Sequence, residues 1–192
     1  MTQPAFVSEG SIPPTWDFDD FSLRPLRIGD EVAWASCLSD PQVTQHTSIP
    51  ELDLDAVARS VQRHIAEYAS ATSCRWAIAS PDQELIGTCG FSKWSLAHAH
   101  AELAYELAPS HWRRSFVRRA VGTVLEWAFS TARFNRVHAF VMTSNQPSIA
   151  LLERCGFVRE GTLRQFRIAR GIPRDFHIYA LLRQDFGDRR IV

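Results

Sequence analysis

Ionisable side chains that could move a proton lie along one run of the sequence, from His98 to Leu107. Polar and apolar residues alternate there, so a strand would place His100, Glu102 and Glu106 on one face and apolar side chains on the other. A carboxylate on the polar face could deprotonate an ammonium group through water, and a histidine has a pKa suited to the same task. The run therefore indicates a possible general base on a strand.

Arginines crowd the start of a predicted helix that runs from Arg113 to Thr131. They are Arg113, Arg114, Arg118 and Arg119. Free backbone amides and the macrodipole make a helix start attractive to anions, and guanidinium groups suit phosphate by geometry. The cluster is either an anion-binding site or a solvated helix face.

Cysteine usage gives no sign of a metal centre. The four cysteines are Cys37, Cys74, Cys89 and Cys155, and they are scattered without a CxxC or Cys/His ligand spacing. The sequence predicts buried free thiols and no metal.

Length and charge limit the possible partners. The chain has 192 residues, 45% of them hydrophobic, and its 21 Lys and Arg balance 21 Asp and Glu, which is typical of one globular domain. A net charge of zero disfavours binding to nucleic acid or an anionic membrane, and the absence of a long apolar run or basic leader predicts a cytoplasmic protein. Prolines near the N-terminus predict an extended arm over residues 1–20 and one domain over residues 21–192.

Hydrophobic periodicity places these residues on predicted elements. In chain order the sequence predicts a strand, two helices, three strands in an antiparallel meander, a helix, a strand, a helix and two strands. The bounds are strand 21–27, helix 30–38, a helix from Asp53 to about Tyr68, strands 74–79, 85–94 and 98–107, helix 113–131, strand 136–142, a helix capped by Asn145, and strands 161–169 and 175–182. This order is typical of a mixed α/β sheet.

Five short blocks in this order resemble the GNAT superfamily, the Gcn5-related N-acetyltransferases, and most closely its Rim-type branch of ribosomal-protein acetyltransferases. The blocks are Leu85-Ile-Gly-Thr-Cys-Gly-Phe91, Ala101-Glu-Leu-Ala-Tyr-Glu-Leu107, Asn145-Gln-Pro-Ser-Ile149 with Glu153-Arg-Cys-Gly-Phe157, Glu160-Gly-Thr-Leu-Arg164, and 175–182. The resemblance implies a mixed, mostly antiparallel, seven-stranded sheet with four flanking helices, splayed between its fourth and fifth strands, here 98–107 and 136–142.

The same resemblance implies an N-acetyltransferase that passes an acetyl group from acetyl-CoA to a primary amine by direct attack in a ternary complex. Glu102 is identified with the family's strand glutamate as general base, with His100 as second candidate; alternatively, Glu102 only binds a neighbouring strand. Asn145 and Ser148 match the family's N-x-x-S, in which Asn contacts the pantetheine arm and Ser lies near the CoA sulfur. Leu152 stands where many members carry a tyrosine acid, so the acid is Ser148, a water or no residue.

The family's pyrophosphate loop reads Gln/Arg-x-x-Gly-x-Gly/Ala, and both glycines are missing from Trp112-Arg-Arg-Ser-Phe-Val117. Glycine permits positive φ and close approach of the backbone, so Ser115 and Val117 should restrict both. We expect arginine charge to compensate, at the pyrophosphate or at the ribose 3′-phosphate. The predicted cofactor-binding residues are Leu107, Arg113, Arg114, Ser115, Phe116, Val117, Arg118, Asn145 and Ser148.

The acceptor is a protein N-terminus or a small amine, and the protein a monomer or homodimer. Three acidic residues could attract a cationic acceptor or simply suit a helix start: Glu51, Asp53 and Asp55. Three tryptophans either line the acceptor groove or fill the core: Trp76, Trp94 and Trp112. The missing glycines keep open a second class, a non-catalytic acyl-CoA-binding protein of the same fold.

Overall fold

The computed structural model describes residues 12–48 and 53–187. The strands are β1 (Trp16–Asp17), β2 (Ser22–Pro25), β3 (Cys74–Ala79), β4 (Leu85–Ser95), β5 (His100–Leu107), β6 (Arg136–Met142), β7 (Val158–Ala169) and β8 (Ile172–Leu182). The helices are α1 (Glu31–Ser39), α2 (Pro41–Thr44), α3 (Leu54–Ala69), α4 (Phe116–Glu126), α5 (Gln146–Arg154) and α6 (Arg183–Phe186). A π-helical turn, Trp127–Thr131, continues α4.

All of these strands join one sheet in the order β1-β2-β3-β4-β5-β6-β8-β7. Its neighbours are antiparallel except β5 and β6, which confirms the predicted mixed, mostly antiparallel architecture. The described sheet has eight strands rather than seven because Trp16–Asp17 pairs with β2. Four of the described helices have nine residues or more, which matches the predicted four; α2 and α6 are single turns of four residues.

The sheet opens between β5 and β6. Their parallel pairing covers only His100–Arg136, Ala101–Val137 and Glu102–His138. On their outer sides the two strands remain paired to their ends, β5 with β4 as far as Leu107 and β6 with β8 as far as Met142. Beyond Glu102, therefore, β5 stays with β4 and β6 stays with β8, and the facing backbone edges of β5 and β6 separate. We call the gap between them the β5–β6 wedge.

Helices cover both faces of the sheet. The larger core lies under α4 and α5, where Val121, Val124 and Leu152 meet the apolar face of β5. On the opposite face, Trp34 of α1 and Val61 of α3 pack in a second, smaller cluster. The polar face of β5 therefore lies on the α1 and α3 side, and its apolar face on the α4 and α5 side.

The predicted N-terminal arm falls partly outside the described residues, since residues 1–11 are not among them. The chain is held to the domain at Pro14 and Trp16: the Trp76 indole Nε1 donates to the Pro14 carbonyl oxygen at 2.8 Å, and the Trp16 and Trp76 rings lie 5.5 Å apart. Among the described residues, regular structure therefore begins at Trp16, five residues before the predicted start.

Candidate functional site

The start of α4 lies just beyond the end of β5. Helix α4 begins at Phe116, and its first i to i−4 bond runs from the Arg119 amide to the Ser115 carbonyl oxygen at 3.0 Å. The amides of Phe116, Val117 and Arg118 thus precede the helical ladder and are available to an anion. The Trp112 indole donates to the Leu107 carbonyl oxygen at 2.8 Å, which ties this loop to the end of β5.

Ser115 adopts the left-handed conformation that the family assigns to glycine. Its φ is 60° and its ψ 9°, its side chain makes no cap hydrogen bond, and Arg113 also has a positive φ of 63°. The missing glycine therefore does not prevent the glycine-like backbone shape, although the Cβ atom of Ser115 makes that shape less favourable. Val117, in contrast, is partly buried and packs against the core.

The arginines of this segment divide into two groups. Arg119 pairs with Asp20 at 2.7 Å and its guanidinium lies 4.8 Å from the Phe18 ring, so it anchors the N-terminal segment instead of serving an anion. Arg113 and Arg114 are exposed, with the Arg114 guanidinium 4.7 Å from the ring of buried Phe116, and Arg118 is half-buried. Any compensating charge at the helix start therefore comes from these three.

At the other side of the wedge, α5 begins after β6 as the sequence predicts. The Asn145 side chain accepts a hydrogen bond from the Ser148 amide at 3.2 Å, which caps the helix. The Ser148 hydroxyl lies 2.7 Å from the Tyr105 hydroxyl of β5. This contact spans the wedge and joins β5 to the first turn of α5.

Tyr105 is the functional candidate that sequence reasoning missed. Alternation places Tyr105 correctly on the apolar face of β5. A tyrosine on such a face needs a hydrogen-bond partner for its hydroxyl, and this need could have marked Tyr105 as a candidate from the sequence. Burial raises the pKa of Tyr105, so the hydroxyl keeps its proton at neutral pH. At Leu152, where many family members have tyrosine, the side chain is fully buried in the core.

On the polar face of β5, Glu102 is the last residue paired with β6 before the wedge opens. Its carboxylate accepts a hydrogen bond at 3.1 Å from Arg167 of β7, and its side chain is 20% exposed. His138 of β6 pairs with Glu102, and the His138 ring lies 5.4 Å from the His100 ring. Burial lowers the pKa of His138. The structure thus brings Glu102 and His100 to the edge of the wedge.

Glu106 shares this face but is unavailable for chemistry. Its buried carboxylate binds the Arg75 guanidinium and accepts from the Trp34 indole at 2.8 Å and the Thr88 hydroxyl at 2.5 Å. Arg75 Nε also donates to Thr88 at 2.6 Å. This closed network fixes α1 on the sheet.

Three of the remaining sequence candidates, Trp76, Trp94 and Asp53, have structural roles. Trp76 is fully buried and the Trp94 indole donates to the Ala71 carbonyl oxygen at 2.6 Å; both belong to the core rather than to an acceptor groove. Asp53 caps α3 through the Ala56 amide at 2.7 Å, Asp55 lies in the exposed first turn, and Glu51 is outside the described residues.

The four cysteines are buried free thiols, as predicted. Burial raises the pKa of Cys155 to about 11, so this thiol is a poor nucleophile near neutral pH. Within residues 12–48 and 53–187, no group of three or more His, Cys, Asp or Glu residues could hold a metal ion. None of the helices described there is long and apolar enough to cross a membrane.

Known proteins are similar to this chain in sequence and in fold. A family model described as "Acetyltransferase (GNAT) domain" matches residues 20–158. The uncharacterized N-acetyltransferase YoaA of Bacillus subtilis is 33% identical over 172 residues, which cover 88% of this chain and 97% of YoaA.

Two solved structures share the fold with 22% identity each. Mycobacterium smegmatis RimJ in complex with CoA-disulfide has a TM-score of 0.78 and covers 88% of both chains. Vibrio cholerae spermidine N-acetyltransferase in complex with CoA and spermine has a TM-score of 0.77 and covers 86% of this chain and 97% of that one.

Proposed function

The chain belongs to the GNAT acetyltransferase family and is an acyltransferase, and from this premise we propose that it transfers an acetyl group from acetyl-CoA to a primary amine by direct attack in a ternary complex. The observation that carries the proposal is the β5–β6 wedge, with an anion-attracting helix start at the end of β5 and the Ser148 hydroxyl on the other side. The acceptor is a small amine or a protein N-terminus.

The residues around the wedge fit CoA. The edge of β5 beyond Glu102 has no β6 partner, so its backbone groups can pair with the amides of a pantetheine arm. The amides at the start of α4 and the nearby Arg113, Arg114 and Arg118 suit phosphate groups, with Ser115 in the conformation that glycine usually supplies. CoA in the RimJ and spermidine acetyltransferase structures, which have the same fold, is consistent with this assignment.

Acetyl-CoA, when bound, supplies a thioester whose carbonyl carbon accepts the amine nitrogen. On the polar face of β5, the Glu102 carboxylate takes the proton from the ammonium form of the acceptor, directly or through water. One Glu102 oxygen already accepts a hydrogen bond from Arg167 at 3.1 Å. His100 is the second candidate for the base.

On the opposite face, Ser148 donates its hydroxyl proton toward the departing thiolate sulfur. Tyr105 is the positioning residue: it holds the Ser148 Oγ atom at 2.7 Å, and its raised pKa keeps it a hydrogen-bond donor as negative charge develops. Asn145 holds the Ser148 backbone through its 3.2 Å bond and so fixes the start of α5.

The test combines binding and turnover. We expect CoA and acetyl-CoA to bind in calorimetric titrations, and acetyl-CoA to release a free thiol in the presence of a suitable amine. The panel should include polyamines, because one structural relative binds spermine, and peptides with free N-termini, because another is RimJ. The Glu102→Gln variant should still bind CoA but lose turnover and change the pH–rate profile.

Three outcomes would count against parts of this proposal. An unchanged pH–rate profile for Glu102→Gln removes Glu102 as the base. Failure to bind CoA overturns the assignment of the wedge. Binding without turnover on any amine favours the non-catalytic CoA-binding protein, the second class that the missing glycines kept open.

A further inference from the structure

Arg167 occupies a site whose chemistry suits a cation. Its guanidinium carbon lies 5.1 Å from the Phe140 ring centroid, 5.2 Å from that of Phe166 and 5.5 Å from that of Phe176. Its Nη2 atom also donates to the Glu102 carboxylate at 3.1 Å. Three aromatic faces within about 6 Å and one carboxylate form a recognition site for an organic cation, which we call the cation cage.

The cation cage lies where the proposed acceptor must arrive. Glu102 is the last β5 residue paired with β6, and Phe140 lies two residues beyond the Glu102 partner His138, on the same face of β6. This face is opposite the one on which Tyr105 meets Ser148. A cation in the cage therefore lies at the mouth of the wedge, across the sheet from the thiolate side.

Arg167 extends from an irregular part of β7. The β7–β8 pairing is interrupted between Leu163 and Arg167, and Gln165 within that gap has a positive φ of 50°. The Arg167 side chain is 34% exposed and that of Glu102 20% exposed. Because a third of the Arg167 side chain is exposed, the guanidinium can reach solvent by side-chain rotation, and the ion pair with Glu102 adds little to the aromatic contacts that hold it.

We propose that Arg167 is an internal stand-in for the acceptor: the cation cage of Glu102, Phe140, Phe166 and Phe176 binds an alkylammonium acceptor after Arg167 has left it. This inference rests on the proposed acetyl transfer, deepens it by naming cationic amines as the acceptor class, and makes Arg167 a residue that limits access. Departure of Arg167 also frees the Glu102 carboxylate, which then takes one proton from the ammonium nitrogen and leaves a neutral amine with its lone pair available for attack.

The test uses tetramethylammonium chloride as an unreactive cation, titrated by NMR at constant ionic strength. Two neutral variants, Arg167→Met and Arg167→Gln, should each bind tetramethylammonium at least fivefold more tightly than the wild-type protein. Arg164→Met is the matched control, because Arg164 is an exposed arginine on the same strand, and it should bind like the wild type. Adding Phe140→Leu to Arg167→Met should remove the gain.

Equal or weaker binding in both Arg167 variants overturns the proposal, and so does a gain that survives Phe140→Leu. Because tetramethylammonium is not acetylated and no acetyl-CoA is present, this outcome is independent of whether the protein transfers acetyl groups. If acetyl transfer is detected, Arg167→Met should lower KM for cationic amines. A rise in that KM would overturn the proposal, because it would mean that Arg167 binds the acceptor directly. A guanidinium would do so if the acceptor carries a carboxylate.

Discussion

Replacing Ser115 by glycine should stabilise the protein, because the residue already has the conformation that glycine prefers. Ser115 has φ of 60° at the start of α4, is exposed, and makes no side-chain cap hydrogen bond. Removing its side chain therefore costs no observed contact. The matched Ser115→Ala variant removes the hydroxyl but keeps the Cβ atom that makes this conformation unfavourable.

The expected size follows from two opposing terms. For a residue with a Cβ atom, the left-handed conformation costs roughly 1–2 kcal/mol of conformational free energy. In the opposite direction, glycine lowers the free energy of unfolding by about 0.4–1 kcal/mol relative to alanine, because it gives the unfolded chain more conformational entropy. The free energy of unfolding of Ser115→Gly should therefore exceed that of Ser115→Ala by about 0.5–1 kcal/mol, whereas Ser115→Ala should lie close to the wild type.

Urea unfolding of the three proteins measures this difference, and titration with CoA shows whether the loop is also the phosphate site. We expect Ser115→Gly to bind CoA at least as tightly as wild type, since the backbone shape is unchanged and the approach to the amides is more open. If Ser115→Gly unfolds at lower urea than Ser115→Ala, the strain argument is refuted. Weaker CoA binding by both variants would instead assign a phosphate contact to the Ser115 hydroxyl.

Two further predictions concern the buried polar groups. Glu106→Gln should lower the free energy of unfolding by about 3–5 kcal/mol in urea, because it leaves the buried Arg75 guanidinium without its carboxylate; a loss below about 1 kcal/mol would show that the network is not a closed ion pair. Tyr105→Phe should reduce kcat by about tenfold, equivalent to ~1.4 kcal/mol, with KM for acetyl-CoA nearly unchanged, because it removes the partner of Ser148. An unchanged kcat in steady-state thiol release would exclude Tyr105 from positioning Ser148.

Element bounds were most predictable where local pattern and burial agree. The predicted strands 74–79 and 136–142 have the same bounds in the structure, because both are compact apolar runs between clear breaks. The helix predicted from Arg113 begins instead at Phe116, since the residues before it include two with positive φ, Arg113 and Ser115. Periodicity alone does not report such backbone conformations.

The site was predictable only as separate parts. Glu102, Asn145 and Ser148 were named from their motif positions, but their contacts depend on residues distant in sequence. Arg167 lies 65 residues from Glu102, and Tyr105 lies 43 from Ser148. No local pattern encodes which of several arginines reaches a given carboxylate, so the ion pair and the hydroxyl pair had to come from the folded chain.

Strand β5 separates the two charge requirements of the proposed reaction. Glu102 and Tyr105 are three residues apart, so alternation places them on opposite faces of one strand, close to where the wedge opens. The Glu102 face offers a carboxylate and aromatic rings to a cation, while free amides and exposed arginines at the start of α4 lie beyond the end of the same strand. A cationic amine and an anionic cofactor can thus be attracted to different sides of one gap. A chain with zero net charge can serve both, because each charge acts over a few ångströms and the two sets are separated by the sheet.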